Sequence, residues 1–397
     1  MSHASSSNPS DSRATFGELI PLATWLRLGV SWSIVAAFMV WGHGWLADPI
    51  PNSVAIIAFL VLFCTILYAS FGVVAEADHL AHELGEPYGT LILTLAIVSI
   101  EVILIAAVML GPGETATIAR DSIFAVMMII MNLVMGICIL AGGQKYGEQE
   151  YNAQGALSYL SMIVLLTGTA LVLPNLVSTG DGTFRPGQAV AVAAMTVALY
   201  ATFLLMQMRG YRRFFIQPEP GRLHVPLQQL THAAPTKASA EDKNIDSRAM
   251  MVRSIILLGL ILPIVLLAHD MAILIDHGIK IVGAPIAVSG VLIAIIVFTP
   301  ESITAVKAAM NNEMQRSINL CLGAFVSTVG LTVPAVVAIA MLTGKTLVLG
   351  ISPIETLLLA LTIAVSALSF LGQRTSMVQG LIHIMLFALF SILLFLP

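Results

Sequence analysis

Eleven apolar runs, most of them close to twenty residues long, divide this 397-residue chain and decide its fold class before any motif is considered. A hydrocarbon layer of about 30 Å is crossed by about 20 helical residues, and only a helix or closed barrel satisfies its backbone inside lipid. The runs cover residues 28–46, 54–74, 90–110, 123–141, 157–176, 189–208, 255–275, 286–309, 320–342, 354–371 and 377–396. Hydrophobic residues make up 58% of the sequence and charged residues 10%, with a mean hydropathy of +0.94. That balance excludes a soluble globular fold and predicts an all-α polytopic membrane protein with eleven transmembrane helices. The net charge of -4 gives no reason to expect a nucleic-acid partner, and lipid is the expected surroundings. Cys64, Cys138 and Cys321 all fall inside apolar runs without CxxC or Cys/His spacing, so they read as small packing residues.

Charge placement sets the expected orientation. Residues 209–253 form the only long polar break and carry eight basic side chains. With the N-terminus cytoplasmic, fourteen of the 18 Lys and Arg residues fall on the inner side and four on the outer. The expectation is therefore N-in and C-out. The Ser-rich start has no basic stretch followed promptly by an apolar run, which argues against a cleaved signal peptide and for a disordered cytoplasmic tail. The expected organisation is a tail over 1–27, a first transmembrane helix over 28–53, a five-helix unit over 54–208, a basic cytoplasmic loop over 209–253 and a second five-helix unit over 254–397.

Two carboxylates interrupt this pattern. Glu101 lies within TLILTLAIVSIEVILIAAVML and Glu301 within IAVSGVLIAIIVFTPESITAVKAAM. An ionised side chain in hydrocarbon costs about 2.5–3.5 kcal/mol on insertion scales, so such residues face a bundle interior or a watery cavity and handle ions or protons. No Lys or Arg lies near mid-span to neutralise either acid. Each acid falls on the second helix of its five-helix unit. Because five is odd, the two units run in opposite orientations, as inverted repeats, and the acids are expected to meet near the midplane. Ser99 and Thr299 stand two residues before the acids as further oxygen donors. Pro300 withholds an N–H from the helix and frees a carbonyl near Glu301, which suits a hard cation. Ser327 and Thr328 are hydroxyl candidates too, although hydroxyls also satisfy helix carbonyls.

The stretch LAHELGEPYGTLILTLAIVSIEV, with Leu80, Gly85, Gly89 and an acid twelve residues later, resembles the first repeat of the Ca2+:cation antiporter superfamily. FTPESITAVKAAMNNEMQRSINLCLGAFVSTVGLTVP, from Pro300-Glu301 through Gly323 to Pro334, resembles the second repeat. The similarity is to the bacterial ChaA-type cation/proton antiporters and covers the chain from about Leu28 onward, apart from the central loop. It implies an eleven-helix exchanger of a bacterial inner membrane, in which Glu101 and Glu301 bind Ca2+, or Na+ or K+, and protons by turns. By the same resemblance Asp78 falls where relatives carry an approach acid, and Ser327 where many Ca2+/H+ exchangers carry glutamine. The GNAxE motif of the wider family is replaced by Ile97-Val98-Ser99-Ile100 and Val297-Phe298-Thr299-Pro300, which loosens the expectation for the ion.

Several polar residues have two readings at this stage. Glu76, Asp78, His79, His82, Glu83 and Glu86 form a cluster without a basic residue, either a solvated face or an acidic vestibule that concentrates cations. Glu86 before Pro87 also suits the start of a helix, where a carboxylate meets the positive end of the dipole. Asp270, with His269, is either an interface residue or part of an outer funnel. Secondary antiport is the function expected, with no cofactor beyond the transported ions, and a homo-oligomer is compatible with the sequence. A cation channel or uniporter using the same acids is the alternative. HExxH, GxSxG and P-loop patterns are absent, so an enzyme is not expected.

Overall fold

The computed structural model describes residues 21–84, 88–111, 116–177, 180–208, 211–218 and 247–396. Eleven helices cross these residues: α1 Leu22–Trp45, α2 Asn52–Leu84, α3 Tyr88–Leu110, α4 Ile118–Tyr146, α5 Ala153–Asn175, α6 Pro186–Met208, α7 Ser247–Val282, α8 Ala287–Met310, α9 Met314–Thr343, α10 Pro353–Phe370 and α11 Met377–Phe395. Among the described residues there is no strand. The tail over 1–20, Glu86 and most of the central loop lie outside them.

Local chemistry sets the helix ends. Ser352 accepts from the Glu355 N–H while the Glu355 carboxylate takes the Ser352 N–H, with Pro353 in the first turn of α10. Ser376 and Gln379 make the same reciprocal cap on α11. Asn152 caps α5 by accepting from Gln154 and Gly155. Several helices outrun their apolar stretches, above all α2 with 33 residues and α7 with 36. At 1.5 Å per residue each is about 50 Å long, well beyond the hydrocarbon layer. Their polar extensions hold one another. Arg253 on α7 pairs with Glu76 at 3.1 Å and Glu83 at 3.2 Å on α2, and Thr24 on α1 donates to Glu76 at 3.0 Å.

The packing has a two-fold character. Helices α2–α6 and α7–α11 repeat one pattern, and contacts between them come in matched pairs. The contact of α4 with α8 is mirrored by that of α9 with α3, α4 with α11 by α9 with α6, and α4 with α10 by α9 with α5. The first helices of the two units, α2 and α7, lie along each other, and α1 rests against both. The third helices, α4 and α9, each contain a π-helical stretch, Met128–Val134 and Thr328–Thr332. Such bulges alter the rotation of a helix and often mark working sites. Both lie beside the second helices, α8 and α3, that carry the acids.

Candidate functional site

Glu101 stands near the middle of α3, a helix apolar all round, and is fully buried. Glu301 stands at a similar depth on α8, which packs against α3 and runs the other way. Glu301 lies within electrostatic range of Glu101. The structure thus brings together two residues 200 positions apart in sequence.

The Thr328 hydroxyl, in the π-helical stretch of α9, donates to Glu101 Oε2 at 2.9 Å. Thr332, one turn on, also approaches that carboxylate but closes no hydrogen bond. Glu101 Oε1, Glu301 Oε2 and the Thr332 hydroxyl are all buried without a partner. Buried polar atoms are nearly always paired, because an unpaired one forfeits its hydration for nothing in return. Oxygens left in this state around two carboxyl groups are suited to a proton or a cation.

A cavity of about 350 Å³ reaches Glu301 from one side. Ser327 lines its inner end, and Arg316 and Asn319, near the start of α9, line its outer part. Thr94, Tyr159 and Gln207 come from the same ends of α3, α5 and α6, so the cavity opens toward the face that carries the central loop. Phe215 and Ile216, on the first turn of that loop, form part of its wall. Asn319 holds this turn by donating to the Phe215 carbonyl at 2.6 Å.

On the opposite face α8 packs tightly on α4. A Cβ on Gly290, near the start of α8, would lie 2.7 Å from the Asp121 carbonyl carbon and the Ser122 nitrogen of α4, so only glycine admits this approach. Arg120 then ties α4 to the loop before α10, pairing with Asp121 at 2.8 Å and donating to the Gly350 carbonyl at 3.0 Å.

The remaining expected site residues are dispersed. Ser99 and Thr299 turn their hydroxyls back onto Leu95 and Ile295 carbonyls of their own helices. Ser327 also bonds its own helix, at Ala324, while lining the cavity. Pro300 is buried in α8 and gives no N–H to the turn before it. Asp78 is exposed, Glu83 is paired with Arg253, and Asp270 lines a separate cleft of about 240 Å³ with His43 and His269. Among the described residues none of these three lines the cavity that reaches Glu301. Glu76 and Glu83 are not an open acidic vestibule, because Arg253, distant in sequence, lies between them and compensates their charge.

Sequence reasoning missed Thr332, Arg253 and a buried network on α4. Asn132 in the π-helical stretch donates to Thr362 at 2.9 Å and meets His383 Nδ1 at 3.3 Å. Ile130 and Val134 of that stretch line a narrow crevice with Glu301. The four-residue spacing of Thr328 and Thr332 was the available signal for the former, since it puts both hydroxyls on one helix face.

Comparison with known proteins gives a consistent result. The pattern that defines the sodium/calcium exchanger protein family matches residues 54–209 and 253–396. The chain is 33% identical to y4hA of Sinorhizobium fredii, named as a candidate ionic transporter, over 95% of this chain and 97% of that protein. It is 32% identical to the sodium-potassium/proton antiporter ChaA of Escherichia coli, over 91% of this chain and 94% of the other. Among solved structures, the Ca2+/H+ antiporter protein YfkE shares the fold with a TM-score of 0.66 at 16% identity, covering 95% of this chain and 99% of that one.

Proposed function

The chain belongs to the sodium/calcium exchanger protein family, a family of membrane transporters and not of enzymes, and we propose that it is a secondary antiporter exchanging Ca2+, Na+ or K+ for H+ at Glu101 and Glu301. The observation that carries this reading is the pair of neighbouring carboxylates, each with a buried, unpaired oxygen, at the inner end of a one-sided cavity that Glu301 lines. The antiport named for the Escherichia coli relative agrees with it.

Two ionised carboxylates held together out of water repel each other and want a counter-charge. A cation supplies it, with the carboxyl oxygens, nearby hydroxyls and water completing an oxygen-rich shell. Protons supply it equally well, and bound protons remove the charge that holds the cation. The two therefore compete, and neither is needed once the other is bound. If the empty doubly charged site is too costly to carry across, only loaded forms complete the cycle, and the two fluxes are coupled. With the central-loop face cytoplasmic, as the basic residues suggest, this state receives ions from inside. The second state follows from the repeats exchanging roles: α3 closes on α9 and α8 parts from α4. The tight α8–α4 contact on the face away from the cavity supports antiport over the channel alternative, because a channel needs both ends open together.

Inside-out vesicles carrying a pH dye test this directly. Addition of Ca2+, Na+ or K+ is expected to collapse a respiration-driven proton gradient with the wild-type chain, and to leave it intact with Glu101→Gln or Glu301→Gln. Exchange retained in both variants would overturn the assignment.

A further inference from the structure

We propose that Arg316 sets the balance between monovalent and divalent cations by standing as a fixed positive charge on the route to Glu301. The inference rests on the antiport reading and concerns which ions enter. Among the described residues lining the cavity, only two side chains carry charge: Glu301 at the inner end and Arg316 toward the mouth. The wall there is narrowed by the turn at Arg212–Phe215, fixed by Asn319 and by packing of Phe215 on the Tyr159 ring at 5.1 Å between centroids. A cation entering from this face passes the Arg316 guanidinium, which lines the cavity, before it meets Glu301.

The repeat partner makes the point by contrast. Arg120 opens α4 as Arg316 opens α9, yet Arg120 is followed by Asp121 and is only 20% exposed, its charge cancelled by that neighbour and its side chain bonded to Gly350. Arg316 is followed by Ser317, is 56% exposed, and has Glu313 at 3.2 Å across the solvated start of the helix. Arg316 lines the cavity and Glu313 does not, so the pair turns its positive end toward a cavity with low-dielectric walls, where fields are focused.

Coulomb energy is linear in the charge of the entering ion. A field that weakens monovalent binding by a factor f weakens divalent binding by f². Removing it relaxes the two in the same proportion, and this squared relation separates a field effect from a change in cavity shape.

The test measures exchange against K+ and Ca2+ concentration in inside-out vesicles for wild type, Arg316→Lys, Arg316→Gln and Glu313→Gln. For an ion that is not carried, its inhibition constant against the carried ion replaces KM. Arg316→Gln is expected to lower the constant for K+ about twofold and that for Ca2+ about fourfold. Glu313→Gln is expected to raise both with the same squared relation, and Arg316→Lys to stay near wild type. Equal fold changes for the two ions, or none in either direction, overturn the proposal while leaving antiport standing. A wild-type chain that exchanges no cation overturns the antiport reading, and this one with it.

Discussion

The two acids differ in their surroundings. Glu101 receives a hydrogen bond from Thr328, and Glu301 lines the cavity and a crevice with Ile130, Val134, Phe298 and Ser302. A hydrogen bond to an ionised group is worth about 1.5–3 kcal/mol, and 1.4 kcal/mol is about tenfold in binding. Thr328→Val is therefore expected to raise KM for the cation at least about tenfold, with Thr328→Ser close to wild type, as read from concentration dependence in vesicles. An unchanged KM in the valine variant would remove Thr328 from the site. At this scale the sequence was informative about charge and silent about partners. Two acids without a nearby base stand out in any apolar run. Which hydroxyl reaches them depends on the rotation of α9 by its π-helical stretch, and no local pattern announces that rotation. Ser99 and Thr299, adjacent in sequence to the acids, bond their own helices instead.

Elements carry the asymmetry between the two faces. Gly290 is the contact that lets α8 close on α4, and an added methyl meets backbone that cannot swing aside. Gly290→Ala is expected to favour the state open on that face. In a chain with Cys64, Cys138 and Cys321 replaced by Ala, Ser122→Cys should then react several-fold faster with a membrane-impermeant maleimide than it does beside Gly290. Equal labelling would show that this glycine does not hold the face shut. The Asn132, Thr362 and His383 network joins α4, α10 and α11 in the same layer. Asn132→Leu removes the hydrogen bond to Thr362 and the contact with His383, a loss of about 1–3 kcal/mol, and should lower the melting temperature in detergent by a few degrees. The helices themselves were legible because lipid demands long apolar runs. Their extra length was not, because the ends of α2 and α7 are polar and hold through Arg253 and its two glutamates, 177 and 170 positions away in sequence.

For the molecule as a whole, the proposed antiport makes the cation and the proton alternative occupants of one space between two inverted units. Cation affinity must then fall as protons are added, because binding releases them. Apparent KM for Ca2+ is expected to rise as pH on the binding side falls, with a slope in log KM approaching about 2 per pH unit where both carboxyls are protonated before the ion arrives. A KM independent of pH would mean separate sites. The odd number of helices per unit, read from the sequence, already required the acids to approach from opposite directions. That they share a buried cluster with unpaired oxygens emerges only when α3, α8 and α9 are packed together.

The most direct measurement is proton release on cation binding to the purified protein in weakly buffered detergent, followed by a pH dye. The wild-type chain should release protons when Ca2+ or K+ is added, and Glu101→Gln and Glu301→Gln should each sharply reduce both release and binding. Cation binding without proton release, or release that persists in both variants, contradicts the shared site.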